Sequence, residues 1–386
     1  MEAVGGLRIS VCQTAQDIRF FERVPEILHG NQKAFVPSFP GAVMKYFSPK
    51  SAFRKRHGEI QGFLAFKGGR VVGRIAAILN RSHNEYWGDR AGFFGFFDCE
   101  DSQLVARELI KAAENFLVNR GMDEMRGPYN PTINDECGLL VEGFDELPYV
   151  GLTWNPPFYR RLVEGAGLQP LVRSFGFRLA LGELAPPPRL RPIAQRVARR
   201  ANVRLRPVDL ANLSMELEVI REVYNETLRG NVGFVPIERE DLEEAARELA
   251  PILQRELVMV AERNGERAAV ALSLPNINEH LVRMKQTPRW MRPAHFLWLS
   301  KRRRIRSGRQ VVYGVSSRHR DTGIHGWLAY EHFVQAKRLL DQAELGWIQE
   351  NNREILAAAE LVGGKKNREW LIYHKAISSE SAAGSV

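Results

Sequence analysis

Apolar and polar positions alternate along this chain in blocks that read as short strands and amphipathic helices in regular succession. Leu7 to Cys12 predicts a strand, and Ile18 to Leu28 follows a helical period. Gly62 to Phe66 and Val71 to Leu79 are strand-like runs joined by Lys67-Gly68-Gly69-Arg70, a hairpin signal. Gly92 to Phe97 predicts another strand, and the acidic and serine residues of Asp98-Cys99-Glu100-Asp101-Ser102 suit a helix N-cap and first turn. The helix that follows carries Leu109, Ala113, Phe116 and Leu117 on one face, stops at Gly121 and leads into Asp123-Glu124-Met125-Arg126-Gly127.

The same order returns in the second half. Leu257 to Glu262, a turn at Asn264-Gly265 and Ala268 to Leu274 repeat the hairpin. Val311 to Val315 repeats the next strand, and Ala329, Phe333, Ala336 and Leu340 mark one face of a helix that starts at Ile324. Leu345 to Ile348 closes the unit as a strand, so strand, loop, helix and strand form the crossover that parallel strands require. The repeat predicts an α/β (α+β) fold in two similar halves: 1–185, a Pro/Arg-rich linker at 186–205 that opens with Pro186-Pro187-Pro188-Arg189, 206–378, and a disordered tail at 379–386.

With 386 residues, 44% of them hydrophobic, the chain can bury two or three sizeable cores. Cys12, Cys99 and Cys137 are too few and too scattered for a disulfide framework or a thiolate metal site, which favours a reducing compartment. No charged-then-apolar leader and no long apolar run is evident, so the expected location is cytoplasmic. The formal charge of +10 points to acidic partners: nucleic acid, an anionic lipid surface, or a phosphate-rich cofactor such as CoA.

The loop Ser316 to Gly323 carries the most pointed chemistry. A helix start preceded by glycine and arginine offers free N–H groups and a positive dipole end to an anion. The chain has no GxxxxGK[ST], and no GxGxxG follows a strand. Arg320-Asp321-Thr322-Gly323-Ile324-His325 is similar to the acyl-CoA pyrophosphate loop of GNAT acyltransferases, Q/R-x-x-G-x-G/A, with His325 in place of the last small residue.

Nearly the whole chain resembles the bacterial tandem-GNAT proteins, a group that includes bacterial ceramide synthases. The resemblance is carried by Val72-Gly73-Arg74-Ile75-Ala76-Ala77, by Arg126-Gly127-Pro128 with Asn130-Pro131-Thr132-Ile133-Asn134-Asp135-Glu136-Cys137-Gly138-Leu139-Leu140, and by Asn155-Pro156-Pro157-Phe158-Tyr159. Asn225 with Gly233-Phe234-Val235-Pro236, Pro275-Asn276-Ile277-Asn278, Glu350-Asn351-Asn352 and Trp370-Leu371-Ile372-Tyr373 complete it. It implies two tandem GNAT-like domains, each a mixed sheet flanked by helices, and transfer of an acyl group from acyl-CoA to an amine such as a long-chain base or another lipid amine. It also implies a CoA site in the second half, made by Gly314, Val315, Ser316, Arg318, Arg320, Asp321, Thr322, Gly323, Ile324 and His325. The matching loop of the first half, 98–102, is acidic and would repel a pyrophosphate, so one CoA site is expected.

Direct attack by a neutral amine needs a base for the amine proton and an acid for the departing thiolate. Glu350 and Asn352 are the candidates for base and amine positioning, with Tyr373 a more remote one. The family's usual tyrosine is missing, since Ala357-Ala358-Ala359 occupies that stretch. Asn134, Glu136, Asn225 and Asn278 are candidates for the acceptor site, although Asn134 to Cys137 equally suits a hydrogen-bonded turn. Cys137 reads more simply as a small buried residue than as a nucleophile. His319 and His325 do not share a helix face, and no metal is expected.

Two basic stretches remain: the arginines from Arg189 to Arg206, and Lys301-Arg302-Arg303-Arg304-Ile305-Arg306 after the apolar Phe296-Leu297-Trp298-Leu299. The second suits either a helix lying on the inner face of an anionic membrane or a solvated face over a core helix. Aromatics interleaved with basic residues are largely absent, so nucleic acid is not expected as a partner. A Fem-type aminoacyl transferase that uses charged tRNA, and a non-catalytic acyl-CoA-binding protein, are the competing readings. Acyl length, acceptor, carrier and oligomeric state are not legible.

Overall fold

The computed structural model describes residues 6–200, 202–209, 212–319 and 322–378. Arg320, Asp321 and the expected tail at 379–386 lie outside them. The chain opens with β1 (Leu7–Val11) and α1 (Ala15–His29). Thr14 starts α1 with a capping box, its hydroxyl accepting from the Asp17 N–H and the Asp17 carboxylate accepting from the Thr14 N–H. Next come α2 (Met44–Phe47), the hairpin of β2 (Gly58–Lys67) and β3 (Arg70–Asn80), then α3 (Arg81–Trp87), β4 (Ala91–Cys99) and α4 (Gln103–Val118). Ser102 caps α4, as its acidic and serine lead-in suggested. Then follow β5 (Glu124–Gly127), the two-residue β6 (Tyr129–Asn130) and β7 (Glu136–Cys137), β8 (Leu139–Glu142), α5 (Tyr159–Glu164) and β9 (Gln169–Leu179).

The expected linker contains a helix, α6 (Arg191–Ala198). After it run β10 (Val203–Pro207), α7 (Leu213–Leu228), α8 (Arg239–Leu249) and the hairpin of β11 (Val258–Arg263) and β12 (Glu266–Pro275). Two helices, α9 (Asn278–Leu281) and α10 (Arg292–Arg302), lead to β13 (Ser307–Val315) and α11 (Ile324–Leu339). β14 (Gln342–Gln349), α12 (Arg353–Leu361) and β15 (Lys365–Ala376) complete the described chain.

Two compact units result, and neither is one continuous stretch. The first takes in the chain up to Arg173, His280–Leu299 and everything from Glu369; the second takes in Ser174–Glu279 and Ser300–Arg368. In the first unit the strand order is β1-β2-β3-β4-β5-β15, with β4 and β5 parallel and the other neighbours antiparallel. The second unit repeats this plan as β10-β11-β12-β13-β14-β9, again with one parallel pair, β13 and β14. Each unit therefore draws its last strand from the far end of the other half's sequence.

The helix faces read from the sequence are the buried ones. On α4, Leu109, Ala113 and Leu117 pack with Val72, Ile75 and Phe94 in the first core, joined by Val105, while Phe116 is half-buried against it. Truncating a buried leucine such as Leu109 would cost about 2–5 kcal/mol. On α11, Phe333 and Ala336, with Leu340 just beyond, bury against Leu345 and Ile348. Ala329 is half-buried, and Ile324, Trp327 and Leu328 extend the apolar face into a further cluster with Ala261 and Ala269.

Candidate functional site

In the second unit, β13 and β14 run parallel for only four residue pairs, Ser307↔Gln342 to Gln310↔Leu345. Beyond them β13 continues to Val315 and β14 to Gln349 without pairing to each other, so the strands diverge at their carboxyl ends. That is the place where open α/β sheets present ligand sites. Ser316 N–H donates to Ala268 O, toward β12. By the alternation of a strand, Val315 and Tyr313 turn their backbone groups the other way, into the gap. Val311, at the start of the gap, is 36% exposed although it is a strand valine. Arg309 closes the base of the gap by donating from Nε to Gly346 O at 2.7 Å.

At the mouth of the gap, the loop after β13 is tied to α7. Ser316 Oγ donates to Glu222 Oε1 at 2.8 Å, and so does Arg318 Nη2 at 2.8 Å. Ser317 N–H and Oγ both donate to the Glu226 carboxylate, at 2.6 and 2.8 Å. Burial alone would raise the Glu222 carboxyl, but the hydrogen bonds from Arg318 and Ser316 outweigh it and hold the group below the usual carboxylate range. Thr322 Oγ1 donates to His319 O, and Arg200 Nη1 donates to Thr322 O at 2.7 Å. Gly323 caps α11 at φ 81°, a left-handed conformation that glycine adopts without penalty, and it brings no side chain of its own, while Thr322 Oγ1 accepts from Ile324 N–H at 3.4 Å. The first-turn N–H groups of α11 therefore have no acceptor within the helix. Tyr313 OH donates to His325 O at 2.7 Å, with the two rings edge to face at 4.8 Å.

The other sequence-derived candidates have varied places. Gly314 sits under α7, against Val223 and Thr227. Asn352 caps α12, accepting from Ile355 N–H, and donates to Thr227 O. Glu350 is exposed at the end of β14. Asn225 clamps a turn, accepting from Ile237 N–H at 2.8 Å and donating to Ile237 O at 3.3 Å. Asn278 is buried at the start of α9. Tyr373, Asn134 and Glu136 belong to the first unit: Tyr373 is buried and donates to Glu164 at 3.1 Å, while Asn134 and Glu136 are exposed. Cys137 is buried there beside Ile133 O. Between them, Asp135 accepts from Tyr46 OH and Thr132 Oγ1, both at 2.7 Å, and burial raises its carboxyl despite these bonds.

The first unit's equivalent strand end is built differently. β4 and β5 pair only over Ala91–Phe93 and Glu124–Arg126, yet here the chain fills its own gap. Tyr129 and Asn130 of β6 lie along β4, so close that a methyl group on Gly95 would fall 1.6 Å from Tyr129 O. Phe96 N–H donates to Asn130 Oδ1 at 2.6 Å. Below them runs a buried polar chain. Arg74 Nε donates to Asp98 Oδ2 at 2.8 Å, Tyr159 OH lies 3.3 Å from Asp98 Oδ1, and His29 Nε2 is 2.6 Å from the Tyr159 hydroxyl. Burial pushes the His29 ring below its ordinary value, against the pull of Asp98.

No family model matches the chain. It is 29% identical over 382 residues to the bacterial ceramide synthase of Caulobacter vibrioides, covering 96% of this chain and 98% of that one. It is 27% identical over 366 residues to protein YghO of Escherichia coli K12, covering 94% and 93%. A tandem GNAT protein from the clavulanic acid biosynthesis pathway superposes with a TM-score of 0.57 at 12% identity, over 96% of this chain and 99% of that one. A GCN5-related N-acetyltransferase from Sphaerobacter thermophilus gives 0.51 at 11% identity, over 98% of both chains. The chain has a tandem-GNAT fold.

In this tandem-GNAT protein the sequence reading missed the two carboxylates that face the loop. Glu222 and Glu226 are four apart on α7, which places them on one helix face, but the pattern alone does not say which loop that face meets. Tyr313 was counted only as a strand residue, and its hydroxyl beside His325 needs the fold to appear.

Proposed function

We propose that this tandem-GNAT protein moves an acyl group from acyl-CoA to an amine acceptor, as in ceramide-synthase-like N-acylation of a long-chain base or another lipid amine. The observation that carries the reading is the divergence of β13 and β14 after Gln310 and Leu345, where Val311 is exposed on the strand. A pantetheine arm needs an unpaired strand edge, and the backbone of Tyr313 and Val315 supplies one. An anion needs N–H groups at a helix start, and Gly323 brings no side chain to the start of α11; the one side-chain contact there, Thr322 Oγ1 accepting from Ile324 N–H at 3.4 Å, would be exchanged for the anion. The residues fit such a donor, except that Glu222 and Glu226 already hold Ser317 N–H and Arg318, so those contacts must be exchanged when a pyrophosphate binds.

When bound, acyl-CoA supplies an activated acyl carbon and a thiolate leaving group. The chain would do the rest. Tyr313 and Val315 align the arm, and Arg318 and Arg320 add charge-assisted contacts to the phosphates. Glu350, exposed at the end of β14, takes the amine proton. The ceramide synthase relative supports a lipid amine as the acceptor.

The test is thermal unfolding with CoA, short and long acyl-CoAs and tRNA, paired with mass spectrometry of a long-chain base incubated with acyl-CoA. A ligand at 100 times its dissociation constant stabilises by about 2.7 kcal/mol, a clear melting shift. Val311→Trp, a bulky change at an exposed position where the strands part, should abolish the acyl-CoA shift while leaving the unliganded melting temperature in place. Glu350→Gln should keep the shift and lower kcat. A shift with tRNA and none with acyl-CoA would replace this reading with the Fem-type one.

A further inference from the structure

The segment from His280 to Arg320 contains no aspartate or glutamate. Within it, α10 has an inner and an outer face. Arg292, Phe296 and Leu299, spaced by four and three, point inward: Arg292 and Leu299 are buried, and Phe296 meets Phe39 edge to face at 5.0 Å. The entry to the helix is clamped onto α1. Arg292 pairs with Glu26, and Arg289 reaches Glu22 at 2.7 Å and Glu26 at 3.1 Å. Glu22, itself buried, also accepts from Gly41 and Val43 N–H groups at 3.0 Å.

The outer face is held out by that clamp and is apolar. Trp290 is 81% exposed, Met291 42%, Leu297 62% and Trp298 52%. Ala294, Leu297, Trp298 and Lys301 lie three and four apart, so the apolar face runs directly into Lys301 and then Arg302 on the same helix, both exposed. A solvated face would carry charges of both signs here. Two indoles and a leucine bordered by cations alone match the boundary of an anionic bilayer, where indoles sit at headgroup depth and lysine and arginine meet lipid phosphates.

We infer that Trp290, Met291, Leu297 and Trp298 form a peripheral docking face for an anionic lipid surface. No helix of the described residues is long and apolar enough to cross a membrane, so the contact is interfacial. The inference goes beyond the proposed acyl transfer and does not depend on it: a bilayer face would stand even if the transferase reading failed.

Sedimentation with phosphatidylcholine vesicles, with and without phosphatidylglycerol, tests it on the full chain. The wild type should pellet with the phosphatidylglycerol vesicles at low salt, and partition should fall at least about tenfold at high salt. A Trp290→Ser, Leu297→Ser, Trp298→Ser triple variant should stay in the supernatant with an unchanged melting temperature, because these side chains are exposed. Lys301→Glu with Arg302→Glu should lose at least about 25-fold, at roughly fivefold per cation. Failure of the wild type to pellet with any vesicle would overturn the inference, as would equal pelleting of the triple variant. So would a dimer that the triple variant breaks without any vesicle binding, since the face would then meet a second copy of the chain.

Discussion

The ends of β4 and β13 occupy the same place in two copies of one topology, and the protein treats them in opposite ways. After β4, Tyr129 and Asn130 fill the space between the diverging strands, and Asp98 is held by Arg74 and Tyr159, with His29 on the far side of the tyrosine hydroxyl. After β13 no strand pairs into the corresponding place, and the charges sit at the loop that follows, where exposed Arg318 meets Glu222. The difference teaches that the parallel pair alone does not make a site. What decides is whether the chain that follows turns back into the gap, as β6 does after β5, or leaves it, as α12 does after β14.

The contrast can be broken from the buried side first. Arg74→Ala strands the Asp98 carboxylate beside Phe21 and Phe96, the rings the guanidinium covers at 4.8 and 5.9 Å. Removing one partner of a buried ion pair costs about 3–5 kcal/mol, so urea unfolding should show a large loss of stability with no effect specific to acyl-CoA. A fall below about 1 kcal/mol would mean that the first strand end is as tolerant as the second.

The second unit has its own buried titratable group, away from the loop after β13. His332 lies between Gln310 Nε2, 3.4 Å from its Nδ1, and Leu257 O, 3.3 Å from its Nε2. Burial pushes its ring from 6.5 down to about 4. The folded protein therefore keeps the ring neutral while the unfolded chain takes up a proton, so stability is full above the ordinary histidine value and is lost as pH falls toward the lowered one. The loss is roughly 3 kcal/mol over that window. Unfolding free energies compared at neutral pH and near pH 4.5 should show a slope in the wild type that His332→Gln clearly reduces, the buried His29 keeping part of it. An identical slope in both proteins would place the proton uptake elsewhere.

The smallest structural effect is expected at the loop after β13. Arg318→Ala should leave the melting temperature unchanged, since exposed ion pairs contribute little. It should weaken acyl-CoA binding by about tenfold, the effect of one charge-assisted hydrogen bond. Calorimetric titration distinguishes this from a purely structural pairing with Glu222, for which affinity would not move.

Much of the fold was legible because it rests on local rules. The hairpin at Lys67-Gly68-Gly69-Arg70, the cap at Ser102, the buried face of α4 and the strand, loop, helix and strand from Val311 to Ile348 all follow from period and turn chemistry. Their repetition was readable for the same reason. The site was legible in outline, since the glycine before Ile324 is the cap of α11. Its partners were not. Glu222 and Glu226 meet the loop through packing of α7, and Asn225 and Asn352 read as polar candidates although both hold backbone groups in place.

By itself, then, the sequence determined the elements, their order and their duplication, because hydrophobic period and caps act within a few residues. Only the tertiary structure decided that β15 completes the first unit's strand order and β9 the second's, that β6 lies along the end of β4 while no strand pairs at the end of β13, and that Trp290 and Trp298 face outward. Those outcomes depend on which long-range surfaces bury each other, and a period of two or of 3.6 carries no record of that choice.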